Sequence, residues 1–243
     1  MKYVLNKKKL IGSWSTSPDN IIFEILLSFN FDFHVIDLEH SSITEYQCEN
    51  LIRLANFKKK NCLVRLTSNT EDQIKKVLDA GANGLILPNI KNNIDLNEVL
   101  QRIFYPPLGK RGVGLTRASN FGDNFKKYFN GINKKLNIFV IIENKEALSS
   151  FENIIQNKNI QGVMVGPYDL SASLGIAGQF ENIIFKNAVK KIQLLSKKYK
   201  KQIGFHMVDP NVTKLRKLLN QFDFIIYSTD VLILKNNIEK IFK

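Results

Sequence analysis

The chain of 243 residues is poor in the residues that build disulfide frameworks and thiolate metal sites. Its two cysteines, Cys48 and Cys62, are isolated, so they form neither a disulfide framework nor a metal-ligand spacing. This usage is typical of a reducing compartment and predicts a cytoplasmic protein. No apolar run has the length of a membrane span, and the basic start at Lys7 to Lys9 precedes only a short apolar segment. The sequence therefore predicts neither a signal peptide nor a membrane partner.

Acidic residues are also scarce relative to basic ones. The chain has 22 Asp and Glu against 35 Lys and Arg, a formal net charge of +13. The lysines form short, scattered clusters, and no stripe of interleaved aromatic residues accompanies them as on a nucleic-acid-binding surface. Charge runs of this kind usually lie on a solvated face. We therefore expect no nucleic-acid partner.

A glycine-rich phosphate turn after an early strand is absent, which disfavours a doubly wound nucleotide-binding sheet. Eight β-type runs instead alternate with longer amphipathic stretches, and no Pro/Ser-rich linker interrupts them. These runs are Leu10 to Trp14, Phe33 to Leu38, Cys62 to Leu66, Gly84 to Leu87, Asn137 to Ile142, Gly162 to Gly166, Gln202 to His206 and Phe222 to Tyr227. The pattern predicts an α/β protein, a single (β/α)₈ TIM barrel over residues 1–243, with a doubly wound sheet as the alternative.

The segments between these runs carry apolar residues at helical spacing. The clearest predicted helices are Asp19 to Ser28, Thr70 to Ala80 (opened by a Thr70 cap), Asn182 to Lys200 and Val212 to Asn220. The longest irregular stretch runs from Tyr105 to Asn120, and its length is more typical of a functional loop than of a linker.

Two of the predicted strands end on a carboxylate. Glu143 follows Asn137 to Ile142, and Asp169 follows Gly162 to Gly166 after a Gly-Pro break. Acids at the same end of neighbouring strands can share one hard cation, and Mg²⁺-type ions often take only one or two carboxylates. Glu143 could equally cap the helix that begins near Lys145.

A second group of polar residues belongs to the second and third predicted strands. Asp37 and Glu39 share a face, His40 follows at once, and Arg65 is a lone charge inside an apolar run. A buried arginine needs an anionic partner. That partner is either a substrate or a protein carboxylate in a salt bridge that pins two strands, and the residues alone favour neither.

Lysine is abundant overall but is missing from the interior of the predicted strands. A Schiff-base aldolase needs a lysine in a desolvated interior position, so amine-based carbonyl chemistry is disfavoured. Metal-assisted carbonyl chemistry stays open.

Short pieces spread along the chain match a known pattern in a fixed order. They are Gly12-Ser13-Trp14, Ile36-Asp37-Leu38-Glu39-His40, Val64-Arg65-Leu66, Leu78-Asp79-Ala80-Gly81-Ala82, Gly84-Leu85-Ile86-Leu87-Pro88, Tyr105-Pro106-Pro107-Leu108-Gly109-Lys110-Arg111-Gly112, Ile142-Glu143 and Gly166-Pro167-Tyr168-Asp169-Leu170-Ser171. Together they resemble the HpcH/HpaI family of class II pyruvate aldolases, from about Gly12 to Asp230. Each piece is modest, but their order and joint presence are specific.

The resemblance implies a metal-dependent barrel enzyme. It implies a divalent cation held by Glu143 and Asp169 and chelated by pyruvate, with Arg65 stabilising the enolate oxygen. It also implies that His40 handles the proton of the aldol hydroxyl while Asp37 orients it.

The same resemblance implies an assembly, a homo-oligomer such as a hexamer or trimer of dimers. The last helix would be exchanged between neighbours, and Asp79 would complete the proton relay from an adjacent subunit. The pyruvate pocket would include Trp14, and backbone amides from Gly166 through Pro167 to Tyr168 would hold the pyruvate carboxylate.

Three positions depart from the family pattern. Ile141 replaces the usual glutamine two residues before Glu143 and by strand parity faces the same side, which removes a hydrogen-bonding group. Tyr168 stands where a small residue is usual and would either narrow the pocket or swing out. His206, at the end of the seventh strand, could bind substrate in the aldehyde half with Tyr227 and Ser228, or could simply hydrogen-bond a loop.

The leading hypothesis is a divalent-metal-dependent aldolase that cleaves or forms a 2-keto-4-hydroxy acid from pyruvate and an aldehyde. Carboxylate ligands favour Mg²⁺, Mn²⁺ or Co²⁺ over a thiolate-type zinc site. The alternatives are a citramalyl- or malyl-CoA lyase-like enolate enzyme and a degenerate barrel that binds a sugar acid without catalysis. The residues leave the aldehyde, the direction and the preferred metal open.

Overall fold

The computed structural model describes residues 9–242, so Lys7 and Lys8 of the basic segment lie outside the described residues. Eight parallel strands pair in chain order, and β8 pairs with β1 to close a barrel. The strands are β1 (Leu10–Ser15), β2 (Phe33–Asp37), β3 (Cys62–Arg65), β4 (Gly84–Leu87), β5 (Asn137–Ile142), β6 (Gly162–Val165), β7 (Gln202–Met207) and β8 (Phe224–Tyr227). The predicted TIM barrel is confirmed.

Helices connect the strands on the outside of the barrel. They are α1 (Asn20–Ser28), α2 (Glu45–Phe57), α3 (Glu71–Asp79), α4 (Asn93–Ile103), α5 (Phe125–Ile132), α6 (Lys145–Ser149), α7 (Phe151–Ile155), α8 (Pro167–Ser173), α9 (Ile183–Lys198), α10 (Val212–Leu219) and α11 (Asp230–Glu239), with a 3₁₀ helix at Arg117–Gly122. Among residues 9–242, no helix is long and apolar enough to cross a membrane.

The eight predicted strands and the four helices with predicted bounds agree with the structure to within about two residues, and two deviations have physical reasons. Thr70 occupies the N-cap position of α3, but its side chain makes no capping hydrogen bond. The last strand begins at Phe224 rather than Phe222 because the Phe222 amide donates to the Leu218 carbonyl, 3.0 Å away, and so belongs to the turn that follows α10.

The barrel has two hydrophobic cores. The larger one lies between the strands and the helices, and the smaller one fills the barrel interior. The interior core includes Phe33 and Phe224, which occupy the space beside Gly12 and Gly204. A Cβ atom at Gly12 would lie 2.4 Å from the Phe33 ring, so a larger residue there would displace that ring. The strands are apolar on both faces, as in other parallel sheets covered by helices.

The carboxyl ends of the strands form one mouth of the barrel, where barrel enzymes keep their catalytic groups. Helix α4 runs back from this mouth, so the loop from Tyr105 to Asn120 lies at the opposite end. The start of α11 is tied to the end of β1 because the Asp230 carboxylate accepts the amides of Thr16 and Ser17, both at 3.0 Å. Exchange of α11 between neighbouring subunits stays a prediction.

Candidate active site

The first half of the mouth, formed by β1 to β3, is built around an ion pair. Asp37 and Arg65 face each other in the register of β2 and β3. The Arg65 Nε and Nη2 atoms donate to the two Asp37 carboxylate oxygens at 2.8 and 2.6 Å. Both side chains are buried, so this two-point contact replaces the lost hydration of both charges.

A second carboxylate and an aromatic ring complete the surroundings of Arg65. Its Nη1 atom lies 3.0 Å from Glu39 Oε2, and its guanidinium carbon lies 4.8 Å from the centre of the Trp14 ring. Trp14 in turn donates its Nε1–H to Asp37 at 3.2 Å. Burial alone would raise the pKa of Asp37, but the hydrogen bond and the charge of Arg65 outweigh it and hold that pKa below its usual value. Glu39 is in excess over this ion pair: burial raises its pKa, and the charge of Arg65 opposes that rise without overcoming it.

His40 lies on the exposed rim beside this ion pair. The Asp37 carboxylate accepts the main-chain amides of Glu39 at 2.9 Å and of His40 at 3.4 Å. In the described part of the chain, no hydrogen bond joins Asp37 to the imidazole ring. Asp37 therefore fixes the backbone that carries His40, whereas the ring itself is free to turn toward a ligand.

The second half of the mouth, at the ends of β5 and β6, contains carboxylates without a cation to match. Glu143 is 7% exposed, and its Oε1 atom accepts the Asn89 amide at 2.5 Å. The pKa of Glu143 is raised from 4.5 to about 7. Burial is the largest cause and the charges of Glu39 and Asp169 add to it, while the Asn89 amide and the charge of Arg65 oppose the rise. Asp169, exposed in the first turn of α8, is close enough to influence both glutamates.

This donor set fits a hard divalent cation. A cation beside Glu143 and Asp169 would relieve the repulsion that raises the Glu143 pKa, and oxygen donors are the ligands that Mg²⁺ prefers. Within residues 9–242, no group of three or more His, Cys, Asp or Glu side chains is arranged to hold a metal. A cation at this pair would therefore take its remaining ligands from water and substrate.

The turn from β6 into α8 leaves main-chain donors at the mouth. The Gly166 amide donates to the Ile142 carbonyl at 3.3 Å, and Pro167 has no N–H. The Tyr168 amide lies in the first turn of α8, where no carbonyl of the helix itself can accept it. Of the three predicted carboxylate-binding amides, the Tyr168 amide is therefore the one best suited to a ligand.

Two of the three unusual residues have clear positions. Ile141 is buried in the interior core and faces the mouth on the same side as Glu143, as strand parity predicts. The Tyr168 ring is 52% exposed and packs edge-on against Phe180, with 5.0 Å between ring centres. The Tyr168 ring thus packs on Phe180, and both side chains line a cleft together with Pro167 and His206.

His206 lies inside the barrel, stacked on Trp14 with 4.5 Å between ring centres. Burial and, to a smaller extent, the charge of Arg65 lower its pKa to about 4, while a hydrogen bond to the Ser228 backbone and the charge of Asp37 oppose the shift. Its Nε2 atom is buried without a hydrogen-bond partner in the described residues. The ring is thus uncharged, lines the pocket and also hydrogen-bonds the backbone of Ser228 in the loop after β8.

The structure does not bring Asp79 together with the other candidates. Asp79 ends α3 at the opposite end of the barrel, where it pairs with Arg111 at 2.5 Å. Arg111 is buried over the Tyr105 ring, 4.6 Å from its centre. This pair anchors the Tyr105 to Asn120 loop, and Asp79 can reach an active site only in another subunit.

Two residues of the mouth were not among the candidates. Glu39 was noted only for sharing a face with Asp37, yet it contacts Arg65 directly. Asn89 is not among the predicted site residues, although it directly follows Pro88, the last residue of one of the family-like segments. The available signal was its place at a strand end; its left-handed backbone, with φ of 57°, is visible only in the structure.

Comparison with known proteins gives one family. A model of the family described as HpcH/HpaI aldolase/citrate lyase matches residues 10–228. A 2-keto-3-deoxy-L-rhamnonate aldolase from Salmonella gallinarum is 33% identical over 206 residues, 82% of this chain and 75% of that protein. A hydroxypyruvate/pyruvate aldolase from Sagittula stellata is 32% identical over 173 residues, 71% of this chain and 68% of that protein.

Solved structures share the same barrel. An HpcH/HpaI aldolase from Desulfitobacterium hafniense superposes with a TM-score of 0.87 at 25% identity, over 96% of this chain and 91% of that one. The protein CitE from Mycobacterium tuberculosis, solved in complex with magnesium and pyruvate, superposes with a TM-score of 0.63 at 14% identity, over 95% of this chain and 89% of that one. The second likeness concerns the fold alone.

Proposed function

This chain belongs to the HpcH/HpaI aldolase/citrate lyase family and is a class II aldolase, a carbon–carbon lyase of a metal-dependent family; from that premise we propose which residues carry the reaction. The substrate would be a 2-keto-4-hydroxy acid, cleaved into or formed from pyruvate and an aldehyde. The 2-keto-3-deoxy sugar acids are the class suggested by the relatives' names.

We propose that Glu143 and Asp169 hold the divalent cation, Mg²⁺, Mn²⁺ or Co²⁺. When bound, such a cation would polarise the keto oxygen of pyruvate and so acidify its methyl protons. The raised pKa of Glu143 supports this assignment, because a buried carboxylate surrounded by other carboxylates is where a cation is held most favourably.

Arg65 would stabilise the oxygen of the pyruvate enolate. Its guanidinium is fixed by Asp37 and Glu39, so little reorganisation is needed when negative charge develops. Arg65 can therefore form a salt bridge and also bind substrate, because Asp37 and Glu39 orient the guanidinium that would contact the enolate.

His40 would give and take the proton of the aldol hydroxyl. It is exposed at the rim, and Asp37 holds its backbone in place. Asp79 would assist this transfer from a neighbouring subunit, in a homo-oligomer such as a hexamer with exchanged last helices. The buried ion pair of Asp79 with Arg111 supports an ordered, fixed position for that acid.

The substrate pocket would be walled by Trp14, Gly166, Pro167, Tyr168 and His206. Ile141 makes the floor below Glu143 apolar, and the stacked rings of Trp14 and His206 form one side. We propose that the Tyr168 amide contacts the pyruvate carboxylate. Because both cysteines are buried and free, a cytoplasmic location remains the expectation.

The observation that carries this proposal is that Arg65, fixed by Asp37, lies at the same barrel mouth as the carboxylates of Glu143 and Asp169. The test is exchange of the pyruvate methyl protons in D₂O, followed by proton NMR, which needs no knowledge of the aldehyde. We expect exchange with Mn²⁺ that is lost in chelator and in Arg65→Lys. Equal exchange in all three samples, or none in wild type shown to bind Mn²⁺, would contradict the proposal.

A further inference from the structure

Asn89 occupies the gap between the two halves of the mouth. It follows β4, which lies between β3 and β5. Arg65 is the last residue of β3, and Glu143 directly follows β5. Its backbone has φ of 57°, a left-handed conformation that asparagine tolerates better than most residues. This conformation turns both the main-chain amide and the side chain of Asn89 toward carboxylates of the mouth.

Each of these two donors contacts a different acid. The main-chain N–H donates to Glu143 Oε1 at 2.5 Å, and the side-chain Nδ2 donates to Glu39 Oε1 at 3.1 Å. The other oxygen of each glutamate points elsewhere. Glu39 Oε2 pairs with Arg65 Nη1 at 3.0 Å, and Glu143 Oε2 lies on the Gly166 side, 3.7 Å from where a Cβ on that glycine would stand.

We propose that Asn89 is a positioning residue that couples the two halves of the site, an inference that rests on the proposed function. Through its backbone it occupies one oxygen of Glu143 and leaves the other for the cation. Through its side chain it holds Glu39 against Arg65 and so fixes the guanidinium. Substitution of a residue that orients metal ligands in this way commonly lowers activity by about ten- to a hundredfold.

The two contacts can be separated by substitution. Asn89→Gly keeps the left-handed backbone and the amide to Glu143 but removes the donor to Glu39. Asn89→Asp keeps the size of the side chain but replaces that donor with an acceptor. Lys200→Gly is the matched control, because Lys200 also has a left-handed backbone, with φ of 54°, at the far end of the barrel.

The experiment measures two quantities for wild type, both Asn89 variants, the control, Glu39→Ala and the double variant Asn89→Gly/Glu39→Ala. The first is Mn²⁺ affinity in the absence of substrate, by electron paramagnetic resonance of the free ion. The second is the rate of pyruvate methyl exchange. We expect Asn89→Gly to slow exchange about tenfold while its Mn²⁺ affinity stays within about twofold of wild type.

Further expectations make the inference specific. Asn89→Asp should exchange at least as slowly as Asn89→Gly, and the Lys200→Gly control should match wild type. In the Glu39→Ala background, which lacks the acceptor for Asn89 Nδ2, Asn89→Gly should slow exchange no further, because its side chain acts through Glu39.

Several results would overturn the inference. Wild-type exchange in either Asn89 variant, an undiminished effect of Asn89→Gly in the Glu39→Ala background, or more than tenfold weaker Mn²⁺ binding in Asn89→Gly would each do so while leaving the proposed function standing. A wild type without metal-dependent exchange would overturn the proposed function and this inference with it.

Discussion

The two halves of the barrel mouth handle buried charge in opposite ways. In the first half, Arg65 is surrounded by Asp37 and Glu39, and the pKa of Asp37 is held low. In the second half, burial and the charges of Glu39 and Asp169 raise the pKa of Glu143 to about 7, against the Asn89 amide and a smaller effect of the Arg65 charge. The first half thus contains a two-point ion pair, whereas Glu143 and Asp169 form no salt bridge within residues 9–242.

This difference shows how one site can be both rigid and dependent on a metal. The Asp37–Arg65 ion pair orients the arginine before substrate binds. A buried carboxylate that lacks a counter-charge lowers stability, and binding of a cation recovers that free energy. The two halves therefore predict opposite responses to mutation.

The largest expected effect comes from breaking the ion pair of the first half. Arg65→Ala would leave Asp37 and Glu39 buried without their cation, and we expect a loss of about 3–5 kcal/mol in the free energy of unfolding. Urea denaturation at neutral pH measures this quantity. Pyruvate methyl exchange should also fall to background in the fraction that folds. A loss below about 1 kcal/mol would show that the ion pair is not the organising feature of this half.

The opposite response is expected in the other half. Glu143→Gln should stabilise the metal-free protein above pH 7 by up to about 3 kcal/mol, the equivalent of a pKa raised from 4.5 to about 7. A carboxyl with a raised folded-state pKa destabilises the fold as pH rises from about 4.5 to about 7, and the glutamine removes that loss. Urea denaturation in chelator at pH 8 compares the two proteins.

Asp37→Asn is the matched control for that measurement. It also neutralises one buried acid of the mouth, but in the half with the ion pair, so it should destabilise the protein. If Glu143→Gln and Asp37→Asn shift the free energy of unfolding in the same direction, the contrast between the halves is wrong.

Proton competition at Glu143 gives a smaller, graded effect. Since the carboxyl must be ionised to bind a cation, Mn²⁺ affinity should fall about tenfold per pH unit below about pH 7 and level off above it. Calorimetry in buffers of different ionisation enthalpy should report release of about half a proton per Mn²⁺ near pH 7. Binding that is flat with pH and releases no proton would mean that Glu143 is already ionised in the metal-free protein.

The smallest effect is expected at Tyr168. Its ring is half exposed and packs edge-on against Phe180, so Tyr168→Ala should change the exchange rate by less than about threefold and the free energy of unfolding by about 1 kcal/mol or less. Steady-state exchange kinetics check this. A tenfold loss would show that the side chain closes over the pyruvate.

The sequence was a good guide to the fold because the signal was local. Eight apolar runs separated by amphipathic helices leave few architectures, and a parallel sheet covered on both faces is apolar along its whole strands. The boundary errors, such as Phe222, arose where a residue satisfies both an apolar pattern and the last turn of a helix.

The site could be predicted only in part. Asp37, Arg65, Glu143 and Asp169 were identified because charges at the ends of apolar strands are conspicuous. The contacts that decide their roles cannot be predicted in the same way, because they depend on the register between neighbouring strands and on the left-handed turn at Asn89. The position of the Tyr168 ring likewise depends on Phe180, twelve residues further along the chain.

The most direct test is to locate the cation. Crystals grown with Mn²⁺ and pyruvate should show an anomalous peak about 2.0–2.3 Å from carboxylate oxygens of Glu143 and Asp169, with the Arg65 guanidinium still paired with Asp37. That result would place the metal in the half that lacks a cation. A peak on Asp37 or Glu39, with Arg65 displaced, or no peak at the mouth in crystals that contain bound pyruvate, would contradict the account.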